Sequence, residues 1–225
     1  MLQPATLQFL KQLKKNNNKL WFDAHRPAYE AAKADFSQFI QQVLDGHSPK
    51  DSDLSTLKAK DCLFRINRDI RFSANKTPYK SNMGASLDKG GKKSIYAGYY
   101  FHCEPGGNSF VGGGLWMPMA PELRKIRQEI DYCWDEFRKI IQAKAFVSQY
   151  GDLSKEEYSL TNIPKGYEKD NPAAEYLKLK SFIAIRSVTD AELTDKGLLK
   201  GTLKALEALQ PLLVFLNRAI AHEDQ

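Results

Sequence analysis

Residues 95–116 read Ile95-Tyr-Ala-Gly-Tyr-Tyr-Phe-His-Cys-Glu-Pro-Gly-Gly-Asn-Ser-Phe-Val-Gly-Gly-Gly-Leu-Trp116. Ile95 to Cys103 is rich in Tyr and Phe, side chains that suit a pleated, half-buried surface, and predicts a strand. Glu104 to Asn108 supplies a Pro-Gly-Gly turn, and Ser109 to Trp116 returns as the hairpin partner. Strands joined by so short a turn pair antiparallel.

Upstream, the apolar period shortens from about 3.6 to 2 at Cys62, where Cys62, Phe64 and Ile66 alternate with Leu63, Arg65 and Asn67. That pattern predicts a strand with one face in the core. Thr77-Pro78-Tyr79 breaks it, and a second strand runs from Lys80 to Leu87 before the loop Asp88–Lys93. Farther upstream, Leu7, Leu10 and Leu13 lie at helical spacing, and Asn16 ends that helix. Pro27 suits a helix first turn, and Phe36, Phe39, Ile40, Val43 and Leu44 line its buried face, with Gly46 as the expected stop.

Downstream, Pro121 opens a helix carrying Leu123, Ile126, Ile130, Cys133, Trp134, Phe137, Ile140 and Ile141, expected to run to about residue 148. Asn171-Pro172 reads as a cap with a first-turn proline, Ser181 to Val188 as a strand, and Thr189-Asp-Ala-Glu192 as a capping box. Leu199, Leu203, Leu206, Leu209, Leu213, Leu216 and Ile220 define the last helix, which Pro211 is expected to kink or split. The order predicts an α+β fold, a mainly antiparallel sheet flanked by N-terminal, middle and C-terminal helices. With no repeat or long linker, residues 1–225 are expected to form a single domain.

At 42% hydrophobic and 27% charged residues the composition is that of a globular chain and argues against disorder. No apolar run reaches the roughly 18 to 20 residues a membrane span needs, and no signal-peptide block opens the chain, so a cytoplasmic protein is expected. Cys62, Cys103 and Cys133 are odd in number and far apart, which argues against a disulfide framework or a cysteine zinc site. His25, His47, His102 and His222 show no metal-ligand spacing. Neither a metal nor a cofactor is expected.

Charge is the most informative feature. Between Lys58 and Lys93 stand ten Lys or Arg against three Asp, a surplus of seven in a chain whose net charge is +6. Within it, Phe64-Arg-Ile-Asn-Arg-Asp-Ile-Arg-Phe-Ser-Ala-Asn-Lys-Thr-Pro-Tyr-Lys80 holds five cations and one acid. Extended geometry places Phe64, Ile66, Ile70 and Phe72 on one side and Arg65, Asn67, Asp69, Arg71 and Ser73 on the other, with Arg68 breaking the apolar row. A guanidinium is a planar fork of donors that matches phosphate or carboxylate. Arg65, Arg68, Arg71, Lys76 and Lys80, with Ser73 and Tyr79 as hydroxyl donors, form a candidate anion cradle. Arg26, Arg127 and Lys165 are contributors from elsewhere in the chain.

Other signals are weaker. Gly112-Gly-Gly114 in a strand marks either a bulge or a close approach to the backbone, and no Gly-Lys-Ser/Thr follows to make a phosphate loop. Tyr79, Tyr96, Tyr99, Tyr100 and Trp116 are candidates for base stacking, although strand aromatics more often pack in cores.

Trp21-Phe22 with Arg26 and Tyr29, Phe64–Ser73 with Lys76-Thr-Pro-Tyr-Lys80, Phe110-Val-Gly-Gly-Gly-Leu-Trp-Met-Pro118, and Pro164-Lys-Gly-Tyr167 together resemble a bacterial and fungal family classed as domain of unknown function 2461. The resemblance implies one domain over the full length and brings no activity, cofactor or catalytic residue.

Three readings follow. The first is a module that binds a phosphate-bearing ligand, either a phosphorylated small molecule or nucleic acid. The second is an enzyme on an anionic substrate, with Asp69 or His25 carrying the proton. The third is a structural or partner-binding protein whose arginines are internally paired.

Overall fold

The computed structural model describes residues 1–155 and 159–221; His222 lies outside them. Four strands, β1 (Met83–Asp88), β2 (Gly98–Cys103), β3 (Ser109–Leu115) and β4 (Phe182–Val188), form an antiparallel sheet in the order β1-β2-β3-β4. Helices α1 (Pro4–Lys15), α2 (Lys19–Ala24), α3 (Arg26–His47) and α4 (Ala59–Cys62) precede it. Between β3 and β4 come α5 (Ala120–Tyr132), α6 (Trp134–Ile141), α7 (Lys144–Tyr150) and α8 (Ala174–Leu177), and α9 (Asp190–Thr194) and α10 (Leu198–Ala221) follow β4. The fold is α+β, with helices flanking the sheet.

The chain divides into two compact units: Met1–Lys92 with Tyr100–Val111 and Ser187–Lys204, and Lys93–Tyr99 with Gly112–Arg186 and Ala205–Gln225. In the first, α1 buries Leu7, Leu10 and Leu13, and α3 buries Phe36, Phe39, Ile40, Val43 and Leu44, as their spacing predicts. Phe101 points into this core, its ring 4.9 Å from that of Phe39 and 6.2 Å from that of Phe36. The β2–β3 turn is pinned by Asp190, whose Oδ1 accepts from the backbone N–H groups of Gly106 at 2.9 Å and Gly107 at 3.3 Å. Asp190 lies inside the capping box, in which Glu192 N–H donates to Thr189 Oγ1 and Thr189 N–H donates to Glu192 Oε2.

In the second unit, α5 buries Ile126 and Ile130, and α6 buries Phe137 and Ile141. Arg218 joins them by donating to Glu129 at 2.9 Å and to both carboxylate oxygens of Glu136 at 3.0 and 2.7 Å. Gly112 and Gly114 face the β4 backbone so closely that a side chain at either would collide with the carbonyl oxygen of Ala184 or Phe182. The triple glycine therefore serves strand packing.

Four expectations need correction. The strand at Cys62–Ile66 is not one: Cys62 ends α4, and the chain beyond makes only isolated bridges, Leu63 to Ala85 and Asn67 to Tyr79. Cys62 and Ile66 are buried, but Phe64 is 42% and Phe72 96% exposed, so the alternation does not describe one buried face. The helix expected from Pro121 to about residue 148 is three helices, broken at Cys133 and at residues 142–143. Gly46 lies inside the last turn of α3, where a side chain would press on Leu203. Pro211 does not split α10, which runs unbroken with Leu209, Leu212 and Leu213 buried around it.

Candidate anion-binding site

The basic segment forms an irregular arch. Its limbs are tied by Phe64 N–H to the Gly84 carbonyl (3.0 Å), Lys80 N–H to the Ile66 carbonyl (2.8 Å) and Arg68 N–H to the Pro78 carbonyl (2.9 Å). The arch sorts its cations into three kinds. Arg71 is fully engaged: its guanidinium grips Asp69 through Nε at 3.0 Å and Nη2 at 2.7 Å. That contact holds the Asp69 carboxyl below the usual range. Arg26 is likewise paired with Asp23 at 2.8 Å.

Arg68 is occupied structurally. It donates to the Thr77 carbonyl and hydroxyl and to Ser73 Oγ, strapping the two limbs together. Lys76 donates to the Ile70 carbonyl at 3.1 Å. Tyr79 is buried, stacked on Phe22 with ring centres 4.0 Å apart, while its backbone exchanges hydrogen bonds with the Asn17 side chain.

Arg65 and Lys80 are the third kind. Neither has a carboxylate within ion-pair distance among the described residues, and each lies within the other's field. The Lys80 amine sits 5.3 Å from the centre of the Phe64 ring, and the Lys92 amine 5.8 Å from it. Burial, with Arg65 adding to it, lowers the Lys80 pKa. Cation–π contact offsets part of that desolvation but leaves the positive charge uncancelled. Lys92 also donates to the Leu63 carbonyl at 2.6 Å.

Beside these cations, strand period 2 sets Tyr100, His102 and Glu104 on the face opposite Phe101 and Cys103. Phe64 and Tyr100 rings lie 6.1 Å apart. Tyr100 Oη is 3.4 Å from His102 Nδ1, and His102 Nε2 is 3.3 Å from Glu104 Oε2. Glu104 Oε1 accepts from Ser81 Oγ at 3.1 Å and from Lys14 at 3.3 Å. The His102 ring stacks on Phe110, 4.8 Å away and 10° from parallel. Burial and the nearby Lys80 hold His102 below the ordinary histidine range, although Glu104 pulls the other way. Burial alone would raise the Glu104 carboxyl; hydrogen bonds from His102, Ser81 and Lys14 outweigh it and leave it lowered. Burial raises the Tyr100 phenol.

Sequence reading passed over His102 because it sought metal-ligand spacing. The legible signal was Tyr100-x-His102-x-Glu104, three polar-tipped side chains two residues apart on a strand. The proton carriers named from sequence fare less well: Asp69 is committed to Arg71, and His25 bonds Trp21 through Nδ1 at 2.8 Å and stacks on its ring. In the second unit, Arg127 donates to the Leu179 carbonyl at 2.9 Å, and Lys165 is exposed. Of the aromatics, Tyr99 is buried and Trp116 is exposed. Burial pushes the Cys62 thiol up to about 11 and the Cys103 thiol up to about 12, which makes both poor nucleophiles. Among the described residues no group of His, Cys, Asp or Glu is placed to hold a metal, and no helix is long and apolar enough to cross a membrane.

A family model described as "Conserved hypothetical protein (DUF2461)" matches residues 5–215. No curated protein and no solved structure matches the chain.

Proposed function

Because the chain belongs to the family of conserved hypothetical proteins DUF2461, whose description states no activity, we propose a function from the chain's own geometry: it binds a phosphate-bearing ligand at Arg65 and Lys80. The observation that carries this reading is that the half-buried Lys80 amine sits 5.3 Å from the centre of the Phe64 ring, in the field of Arg65, with no ion-pair partner among the described residues. Holding like charges together costs free energy that an arriving anion returns. Lys92 completes the cationic rim around Phe64. Arg68 acts on the ligand only indirectly, by fixing the arch, and Arg71 and Arg26 are spent on carboxylates.

A phosphorylated small molecule fits better than a nucleic acid strand, because the uncompensated cations gather around one ring instead of forming a track. The matched length supports one functional domain, and the free thiols suit a reducing, cytoplasmic compartment.

The test is thermal unfolding with inorganic phosphate against chloride at equal ionic strength. A ligand that binds only the native state adds about 2.7 kcal/mol at a hundred times its Kd, so the melting temperature rises with phosphate. No rise at any phosphate concentration overturns the reading. Oligonucleotide binding with a log–log salt slope of roughly −0.7 to −0.9 per phosphate contact would replace the small ligand with nucleic acid.

A further inference from the structure

We propose that His102 is the proton-bearing partner of the anion site, so that the ligand, a phosphate-monoester dianion, binds together with one proton taken up on the His102 imidazole. This deepens the reading above and rests on it. His102 occupies the middle of the half-buried row, with Nδ1 toward Tyr100 Oη and Nε2 toward Glu104 Oε2.

The groups around it can be enumerated by element. Its own strand β2 supplies Tyr100, and the residue just beyond the strand is Glu104. The arch supplies Lys80, with Arg65 behind it, and Ser81. Helix α1 reaches it through Lys14 on Glu104, and β3 supplies only the Phe110 ring. Without a ligand, Lys80 opposes a charge on His102 and Glu104 favours one, and Glu104 is already engaged by Lys14 and Ser81. Another positive charge on a half-buried imidazole is opposed by desolvation and by Lys80.

A dianion seated at Lys80 and Arg65 reverses that balance. Its two charges offset the field of Lys80, and Glu104 already stands ready to accept the Nε2–H of an imidazolium. The proton count is simple. Neutral His102, one solvent proton and the dianion give imidazolium, carboxylate and bound dianion, with no bond made or broken in the ligand. The geometry thereby favours a dianion over a monoanion, and a terminal phosphate monoester over a bridging diester. The phosphate of a monoester carries close to two charges at neutral pH, whereas a diester carries one.

Sulfate is the appropriate probe, because it stays doubly charged across the working range and any proton must come from solvent to protein. Calorimetric titration of the full chain with sulfate at pH 7, in two buffers of different ionisation enthalpy, reads the protons taken up. We expect an uptake approaching one per sulfate in the wild type, and near zero in His102→Gln. Histidine NMR on the wild type supplies a second readout independent of the variant's folding: the His102 ring should titrate at higher pH with sulfate than without. Sulfate binding with no proton uptake and an unmoved His102 titration overturns this inference and leaves the phosphate-site reading standing. No sulfate binding at all, with no phosphate-dependent stabilisation, overturns both.

Discussion

The mixed-charge turn from Asp69 to Lys76 and the row Tyr100–His102–Glu104 are opposites. The turn is conspicuous in the sequence, yet its one arginine is spent on its one acid. Arg71 closes on Asp69 two residues away, and Lys76 closes on a carbonyl of the same turn. The row is unobtrusive in the sequence, yet it joins three chain segments in one hydrogen-bonded chain beside two cations that have no ion-pair partner among the described residues. Counting charges finds where cations are concentrated; function depends on which of them lack a counter-ion. Residues two apart neutralise each other cheaply, so a mixed-charge turn spends its charge at home, whereas a surplus survives where neighbours along the chain are apolar or like-charged.

The contrast can be tested by perturbing both regions, starting with the largest expected effect. Asp88 follows Gly84 and Ser86 on the same face of β1, and burial raises its carboxyl to about 6, with a 2.7 Å hydrogen bond from Ser86 opposing the shift. A raised carboxyl keeps its proton in the native state while the unfolded chain releases it. Stability therefore falls as pH rises from about 4 to about 6 and stays lower above that window, by on the order of 3 kcal/mol. Urea unfolding of Asp88→Asn should show that slope removed and a comparable gain at pH 7, with little change near pH 4.

Gly84→Ala comes next. A side chain there runs into the Tyr100 hydroxyl, and overpacking of this kind costs about 1 to 3 kcal/mol. Tyr100→Phe removes the obstacle, so a double-mutant cycle should recover part of the loss, with a coupling of about 1 kcal/mol. Strict additivity would mean that the row is not set by this approach.

Arg68→Ala should destabilise by roughly 1 to 2 kcal/mol, since a charged donor to Thr77 and Ser73 is lost. It should also speed proteolysis within the turn. Arg71→Ala is the smallest, because its pair with Asp69 is solvent-exposed; its melting temperature should match the wild type within error.

The fold was legible wherever burial follows a long period. Phe36, Phe39, Ile40, Val43 and Leu44 needed 22 residues of helix to announce themselves, and the Thr189–Glu192 capping box announced itself through chemistry alone. Short elements escaped for lack of repeats: α4 has four residues, too few to separate a helical turn from the start of a strand. The breaks between α5, α6 and α7 carry no Gly or Pro, so nothing local marks them. At Pro211 the helix runs on through the proline, with Leu209, Leu212 and Leu213 buried around it.

The site was legible in part. Arg65 and Lys80 belong to the segment that charge counting singled out, but their difference from Arg71 depends on where each side chain turns. His102 and Glu104 acquire meaning only once Ser81 and Lys14 are folded against them.

The most direct test is to compare phosphate affinity across single alanine variants by calorimetry at constant pH and ionic strength. Arg65→Ala and Lys80→Ala should each weaken inorganic phosphate by about tenfold or more, the loss expected for a charge-assisted contact. Arg71→Ala and Arg26→Ala should stay within about twofold, as expected when a cation already spends its charge on a carboxylate. Losses from Arg71→Ala as large as those from Lys80→Ala would contradict the account, because the paired turn would then be the anion's seat.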